Sequence, residues 1–234
     1  MKYPEFIRDI LKYNYLIREF KSYNGFLYNL SLYRYFFKWR FYRTKNDTLF
    51  YRIPWITFPA IHYLEKYIRN DMNVFEYGCG GSTLFFAKRV HEVISVEHDV
   101  VWYTKLTDYI KLQNINNVKL KNIEPLKVDG VEQLYSSGNE SYSDLSFKNY
   151  VTEIENYPDN YFDVVFIDGR SRVACFLHSI PKLKKGGIIV WDNTERSRYR
   201  DNFFSQPHNL KKIEVPGPTA FSNDFTLTTI FNKN

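Results

Sequence analysis

From Asn73 onward, short runs of consecutive apolar residues alternate with stretches of helical periodicity. The runs cover residues 74–77, 93–96, 118–123, 163–167 and 188–191, and the helical stretches cover 82–89, 100–113 and 171–183. Strand and helix in alternation predict parallel strands joined by crossover helices. Uninterrupted runs such as VVFI and IIV suit strands buried on both faces. Residues 211–215 and 225–231 break the alternation, because only a turn containing Pro and Gly separates them. That pair predicts an antiparallel hairpin at the sheet edge. The expected fold is α/β: a doubly wound, mostly parallel seven-stranded sheet with a terminal antiparallel hairpin and an N-terminal helical extension.

The first 60 residues follow a different pattern. Phe6, Ile10, Tyr13, Leu16 and Ile17 recur near helical spacing, a break is expected at Asn24–Gly25, and a second helix is expected over 27–41. Pro54 and Pro59 punctuate a connector into a helix over 60–69. Residues 1–60 therefore read as a helical extension and 61–234 as the main domain. Residues 124–160 form a long polar segment with one short helix expected near 147–154. A loop of that length in a compact domain is either a functional lid or disordered.

A chain of 234 residues is long enough for one α/β domain and a modest extra segment. Its net charge of +6 is local: residues 1–45 hold ten Lys or Arg against Glu5, Asp9 and Glu19, a net of +7. The main domain is thus close to neutral. Bases interleaved with rings suit three roles for residues 1–45, namely a cover over the pocket or a homodimer interface, an anionic membrane surface, or nucleic acid. No nucleic-acid module accompanies them, which places nucleic acid last. Cys79 and Cys175 form neither a disulfide framework nor a CxxC pair. A cytoplasmic location is expected, at the inner membrane face if the membrane role holds. No run reaches the roughly 18–20 apolar residues of a spanning helix, and no secretory signal opens the chain.

The segment VFEYGCGGST carries the most specific chemistry. A strand ends at Glu76–Tyr77, Gly78, Gly80 and Gly81 form a turn, and Ser82 or Thr83 stands ready to cap the next helix. Glycines admit a ligand close to the backbone and deliver it to a helix N-terminus. Twenty-one residues after Glu76 the next strand ends in Glu97, where a carboxylate accepts hydrogen bonds from ribose hydroxyls. His98 follows, placed to lie against an adenine. Cys79 suits the turn by its small size.

Thr83 stands where the dinucleotide fingerprint has its third glycine, and no P-loop lysine is present. The E-x-G-x-G arrangement instead resembles the first motif of class I (Rossmann-like) S-adenosylmethionine-dependent methyltransferases. The resemblance covers residues 73–231 and is strongest over 74–97 and 161–193. It implies S-adenosylmethionine as cofactor, contacts from Gly78, Gly80, Gly81 and Ser82, ribose contacts from Glu97, and an acidic contact near the methionyl amine from Glu76. The third strand departs from the family: KLKNIEP lacks the acid that many relatives place near the adenine, with Asn122 as a substitute.

A second constellation is YFDVVFIDGRSR followed by GGIIVWDN. Adjacent parallel strands would bring Asp168, Asp192 and Asn193 together over the ligand crevice. Two carboxylates and an amide oxygen suit a hard cation such as Mg²⁺, or serve a pocket without metal. The layout resembles the metal-dependent O-methyltransferases of the catechol and caffeoyl-CoA group, which implies Asp168, Asp192 and Asn193 as metal ligands and a metal-assisted hydroxyl. Ser171 stands where that group has a lysine. Arg170 and Arg172 flank it and read as clamps for an anionic or sugar-like acceptor or as structural ion-pair partners, with Asp168 or Asp192 as the base. Tyr199 and Arg196 lie close enough in sequence to reach the acceptor. The function expected is methyl transfer to a hydroxyl of a small molecule or glycan. The rivals are an NAD-dependent oxidoreductase and a non-catalytic membrane-associated scaffold of the same fold.

Overall fold

The computed structural model describes residues 3–20, 25–200 and 210–234. Helix α1 (Glu5–Glu19) buries Tyr13, Leu16 and Ile17 along one face, with Asp9 beside them. Asp9 forms ion pairs with Arg40 at 3.0 Å and Arg43 at 2.7 Å, so two of the extension's cations are neutralised within it. The helix expected over 27–41 is divided into α2 (Phe26–Ser31), a 3₁₀ turn over Leu32–Tyr35, and α3 (Phe36–Tyr42). Residues three apart eclipse in a 3₁₀ turn, which lets both Leu32 and Tyr35 reach the interior. Of the expected break, Asn24 lies outside the described residues and Gly25 is the N-cap of α2.

Asp47 caps α4 (Thr48–Tyr51) by accepting from the Phe50 amide. Thr57 likewise caps α5 (Phe58–Tyr67) through the Ala60 amide. Pro59 sits in the first turn of α5, where its missing N–H leaves no bond unmade, and the helix starts two residues before the sequence pattern suggests.

The main domain then alternates β1 (Asn73–Tyr77), α6 (Gly81–Ala87), β2 (Glu92–Glu97), α7 (Val100–Leu112) and β3 (Val118–Asn122). The segment 124–160 is a folded wall. Strands β4 (Leu126–Lys127) and β5 (Leu145–Ser146) pair antiparallel within it, and α8 (Lys148–Thr152) follows. Tyr135, Phe147, Tyr150, Val151 and Ile154 bury their side chains, which anchors this segment against the sheet. The chain continues through β6 (Phe162–Ile167), α9 (Arg172–Lys182), β7 (Leu183–Trp191), α10 (Ser197–Arg200), β8 (Leu210–Pro218) and β9 (Phe225–Lys233).

Seven strands form one sheet in the order β3-β2-β1-β6-β7-β9-β8. The first five are parallel, β9 runs antiparallel between β7 and β8, and β8 alone forms that edge. The hairpin is therefore inserted with its second strand inward. Alternate residues of each strand feed two cores. Val74, Val93, Val164, Phe166, Ile188 and Ile230 meet α5, α6 and the extension. Phe75, Val96, Ile167, Ile189, Trp191 and Phe231 meet α8 and α9 on the other face. Tyr13, Leu32 and Trp39 belong to the first of these cores, so the extension and the sheet share one interior. Among the described residues no helix is long and apolar enough to cross a membrane.

Candidate active site at the carboxyl ends of the strands

The chain leaves β1 through Gly78, whose φ of +91° lies in the region that favours glycine. A Cβ there would stand 3.0 Å from the Gly169 backbone, so the turns after β1 and β6 touch glycine to glycine. Thr83 closes the turn from the third helical position. Its hydroxyl accepts the Gly80 N–H at 2.9 Å and donates to Glu76 Oε2 at 2.5 Å. Ser95 donates to the same oxygen at 2.6 Å from the neighbouring strand. Glu76 is fully buried, and its Oε1 finds no partner among the described residues. Burial pushes its carboxyl up to about 7, against the opposing pull of the Ser82, Ser95 and Thr83 hydroxyls. The structure thus seats Glu76 beneath the turn, where it ties α6 to β2.

Glu97 is the counterpart at the end of β2. Its Oε2 accepts the Cys79 amide at 3.1 Å, and Oε1 accepts the His98 and Asp99 amides at 2.8 and 2.9 Å. Burial alone would raise its proton affinity, but the His98 ring at 2.7 Å and these amides outweigh it and hold the carboxyl below its ordinary range. Glu97 is therefore an ionised, positioned acceptor, and Oε2 retains a lone pair. Asn122 lies opposite it in the β3 register, with a buried Oδ1 that has no partner among the described residues. Burial also pushes the Cys79 thiol far up, which leaves it inert as a nucleophile.

Two neighbours of the turn lie beyond what sequence reasoning found. Trp102 donates its indole N–H to the Cys79 carbonyl at 2.7 Å and lies 3.7 Å from the Cβ position of Gly80. The backbone of α4 and its exit lies over the start of α6: a Cβ on Gly81 would meet the Thr48 and Ile53 carbonyl oxygens at 2.5 Å. His98 packs edge-on against Tyr142 and Phe147, both 5.5 Å away, and accepts from Arg170 Nε at 3.4 Å. The Tyr150 hydroxyl is buried without a partner among the described residues, and it stands where any side chain on Gly169 would have to go.

Asp168 and Asp192 emerge from adjacent strands, as the pattern predicted, and Arg172 lies between them. Its guanidinium donates Nε to the Gly169 carbonyl at 2.9 Å, Nη1 to the Asp192 carbonyl at 2.6 Å and Asn193 Oδ1 at 3.5 Å, and Nη2 to the Asp168 carbonyl at 2.7 Å. Nη2 also pairs with the Asp168 carboxylate at 2.8 Å. Five N–H groups meet five acceptors, so Arg172 retains no donor for a ligand. Arg196 takes Asn193 Oδ1 at 2.6 Å, and Thr228 donates to Asp192 Oδ1 at 2.7 Å. Guanidinium groups thus already serve the Asp168 carboxylate and Asn193 Oδ1, and Thr228 serves the Asp192 carboxylate, so this donor set does not fit a divalent cation. Burial raises the proton affinity of both Asp168 and Asp192, with Arg172 pulling the other way. The Asp168 side chain is 28% exposed whereas Asp192 is only 2% exposed, so Asp168 is the one an acceptor can reach.

A cavity of about 430 Å³ opens beside Gly169, walled by residues between 133 and 138, by 169–173, and by residues between 196 and 199. Of the sequence-expected acceptor contacts, Arg170, Arg172 and Tyr199 line it, whereas Asn193 lies outside the lining.

No family model matches the chain, and no curated protein matches it in sequence. Solved structures match its fold. An rRNA methylase from Streptococcus thermophilus superposes with a TM-score of 0.54 at 11% identity, over 75% of this chain and 97% of its own. A Clostridium thermocellum protein assigned as an rRNA methylase gives 0.53 at 13%, over 82% and 98%. A Streptococcus mutans protein assigned as a methyltransferase, solved with S-adenosylhomocysteine, gives 0.51 at 11%, over 73% and 93%. The fold is that of the Rossmann-like methyltransferases. Within it, the glycine turn, Glu97 and Asn122 occupy one side of the strand ends, and Asp168, Arg172 and the cavity occupy the other. Among the described residues, Glu97 Oε2 keeps a lone pair and Asn122 Oδ1 is unpaired, so both could accept hydrogen bonds from a ligand seated at the turn.

Proposed function

We propose that this chain transfers a methyl group from S-adenosylmethionine to a hydroxyl of a small-molecule or sugar acceptor. The observation that carries the reading is the ionised, buried Glu97 bonded to the Cys79 amide within the glycine turn. The sheet order supports it as well. Dinucleotide-binding sheets run 3-2-1-4-5-6, whereas here an antiparallel strand intervenes between β7 and the edge. That difference counts against the oxidoreductase alternative.

S-adenosylmethionine supplies an electrophilic methyl on its sulfonium. The chain's own residues do the rest. Glu97 and Asn122 orient the nucleoside, and the Gly78–Gly81 turn lets it approach the backbone. Asp168, its proton affinity raised by burial, accepts the acceptor's hydroxyl proton as the oxygen takes the methyl. Arg172 holds Asp168 in place and keeps it ionised between turnovers. No metal enters this scheme.

Calorimetric titration with S-adenosylhomocysteine tests the cofactor. Micromolar binding to the wild type that is lost in Glu97→Ala supports the reading. Binding of NAD in its place would refute it. Asp168→Asn that binds S-adenosylhomocysteine normally yet transfers methyl groups at wild-type rate would remove Asp168 as the base. An unaltered cellular phenotype on that substitution would favour the scaffold alternative.

A further inference from the structure

Four arginines line the cavity beside Gly169, and three of them form no ion pair among the described residues, although the Arg196 charge also acts on Asp168. Arg172 is saturated. Arg170 donates Nε to His98 and lies 5.0 Å from the centre of the Tyr142 ring. Arg196 gives one N–H to Asn193, and Arg198 gives one each to the Gly138 carbonyl at 3.3 Å and the Tyr199 hydroxyl at 2.9 Å. Among the described residues, each of the three keeps at least two N–H donors without an acceptor. Arg198 rests against Gly138 so closely that a Cβ there would fall 1.9 Å from its Nη1. Ser137 adds a hydroxyl: its oxygen accepts the Asn139 amide at 3.3 Å, which leaves its proton to donate.

Three guanidinium groups on the wall of one cavity, two of them open to solvent, repel one another, and an anion bound among them offsets that repulsion. The charge count selects the anion. A carboxylate would match one of three charges, while a phosphomonoester carries nearly two and offers three oxygens to the planar forks of arginine. The size selects what bears it. A volume of about 430 Å³, walled from three stretches of chain, falls in the range of small-molecule clefts.

We propose that this cavity holds the phosphate of a phosphorylated small-molecule acceptor, anchored by Arg170, Arg196 and Arg198. What is then done to the bound acceptor rests on the methyl-transfer reading; the binding itself does not. The test is calorimetric titration with ribose 5-phosphate, and with ribose as the uncharged control. It uses the wild type, an R196Q/R198Q double variant and Arg170→Gln, with S-adenosylhomocysteine titrated separately on each. Thermal melts establish that every variant is folded. The expected result is saturable binding of ribose 5-phosphate and none of ribose. The double variant should bind about ten- to a hundredfold more weakly, as befits lost charge-assisted hydrogen bonds. Affinity for S-adenosylhomocysteine should stay within about threefold in the double variant, because Arg196 and Arg198 touch neither Glu97 nor the turn. Equal binding of ribose and ribose 5-phosphate, or unchanged affinity in both folded variants, would overturn the proposal. So would displacement of the probe by a short RNA lacking terminal phosphates, since that outcome assigns the arginines to a phosphodiester strand. A wild type that binds ribose 5-phosphate but not S-adenosylhomocysteine would support the anion site while refuting methyl transfer.

Discussion

Replacing Glu76 with Gln should change how stability depends on pH, and by an amount the structure supplies. Glu76 is sealed under the glycine turn with one oxygen unpartnered, and burial raises its carboxyl from 4.5 to about 7. Below pH 4.5 the group is protonated whether the chain is folded or not. As pH rises from there, the unfolded chain releases this proton while the folded one keeps it, so folding loses about 1.4 kcal/mol per pH unit. The loss is complete once pH passes about 7, and it totals about 3 kcal/mol. Glutamine has no proton to release. The difference in unfolding free energy between Glu76→Gln and wild type should therefore shift by about 3 kcal/mol in the variant's favour between about pH 4.5 and pH 8. Urea unfolding of both proteins across that range measures it, and comparing the two cancels the titration of Asp168, Asp192 and every other shared group. Parallel stability profiles would refute the reasoning, because they would mean that Glu76 titrates in the folded protein as it does in the open chain.

Three further predictions concern the walls of the site. Arg172→Leu strands the part-buried Asp168 carboxylate and the Asp168, Gly169 and Asp192 carbonyls, and should cost about 3 kcal/mol in urea unfolding. Arg172→Lys should restore little of it, since an ammonium cannot span five acceptors. Gly81→Ala puts a methyl 2.5 Å from two backbone carbonyls that no rotamer change relieves. Limited proteolysis should then cut between residues 47 and 53 faster than in wild type, and unchanged protection would argue against this packing. Trp102→Phe removes the bond to the Cys79 carbonyl and should weaken S-adenosylhomocysteine about three- to tenfold by calorimetry.

The parts of this molecule legible in the sequence are those whose signal is local. The strand–turn–helix of residues 73–87 and the acid ending β2 stand within 25 residues of one another, and glycines mark the turn whatever surrounds it. Asp168 and Asp192 were legible for a related reason, since each follows directly on a buried apolar run. The rest depends on contacts between distant segments. Nothing in RSRVAC reveals that every donor of Arg172 is taken, because its acceptors come from two strand ends. Arg198 and Gly138 are 60 residues apart, and neither has meaning until the wall of residues 124–160 folds against α10. The hairpin's inward strand was likewise invisible, because apolar alternation specifies a pair of strands but not which of them meets β7.

The extension's docking has a consequence for how the chain comes into being. Tyr28 bonds to the Pro216 carbonyl across 188 residues, Arg43 reaches Asn223 across 180, and Tyr13 meets the ring of Phe225. Tyr13, Tyr28 and Arg43 are thus made well before the partners between residues 216 and 225 that complete their docking. Until then the apolar surface that β8 and β9 cover on the extension stays open, the Tyr13 ring included. Contacts of such long range form slowly and leave apolar surface open to other chains meanwhile. Loss of β8 and β9 would leave that surface uncovered for good, so aggregation of nascent or truncated chains is the hazard written into this arrangement.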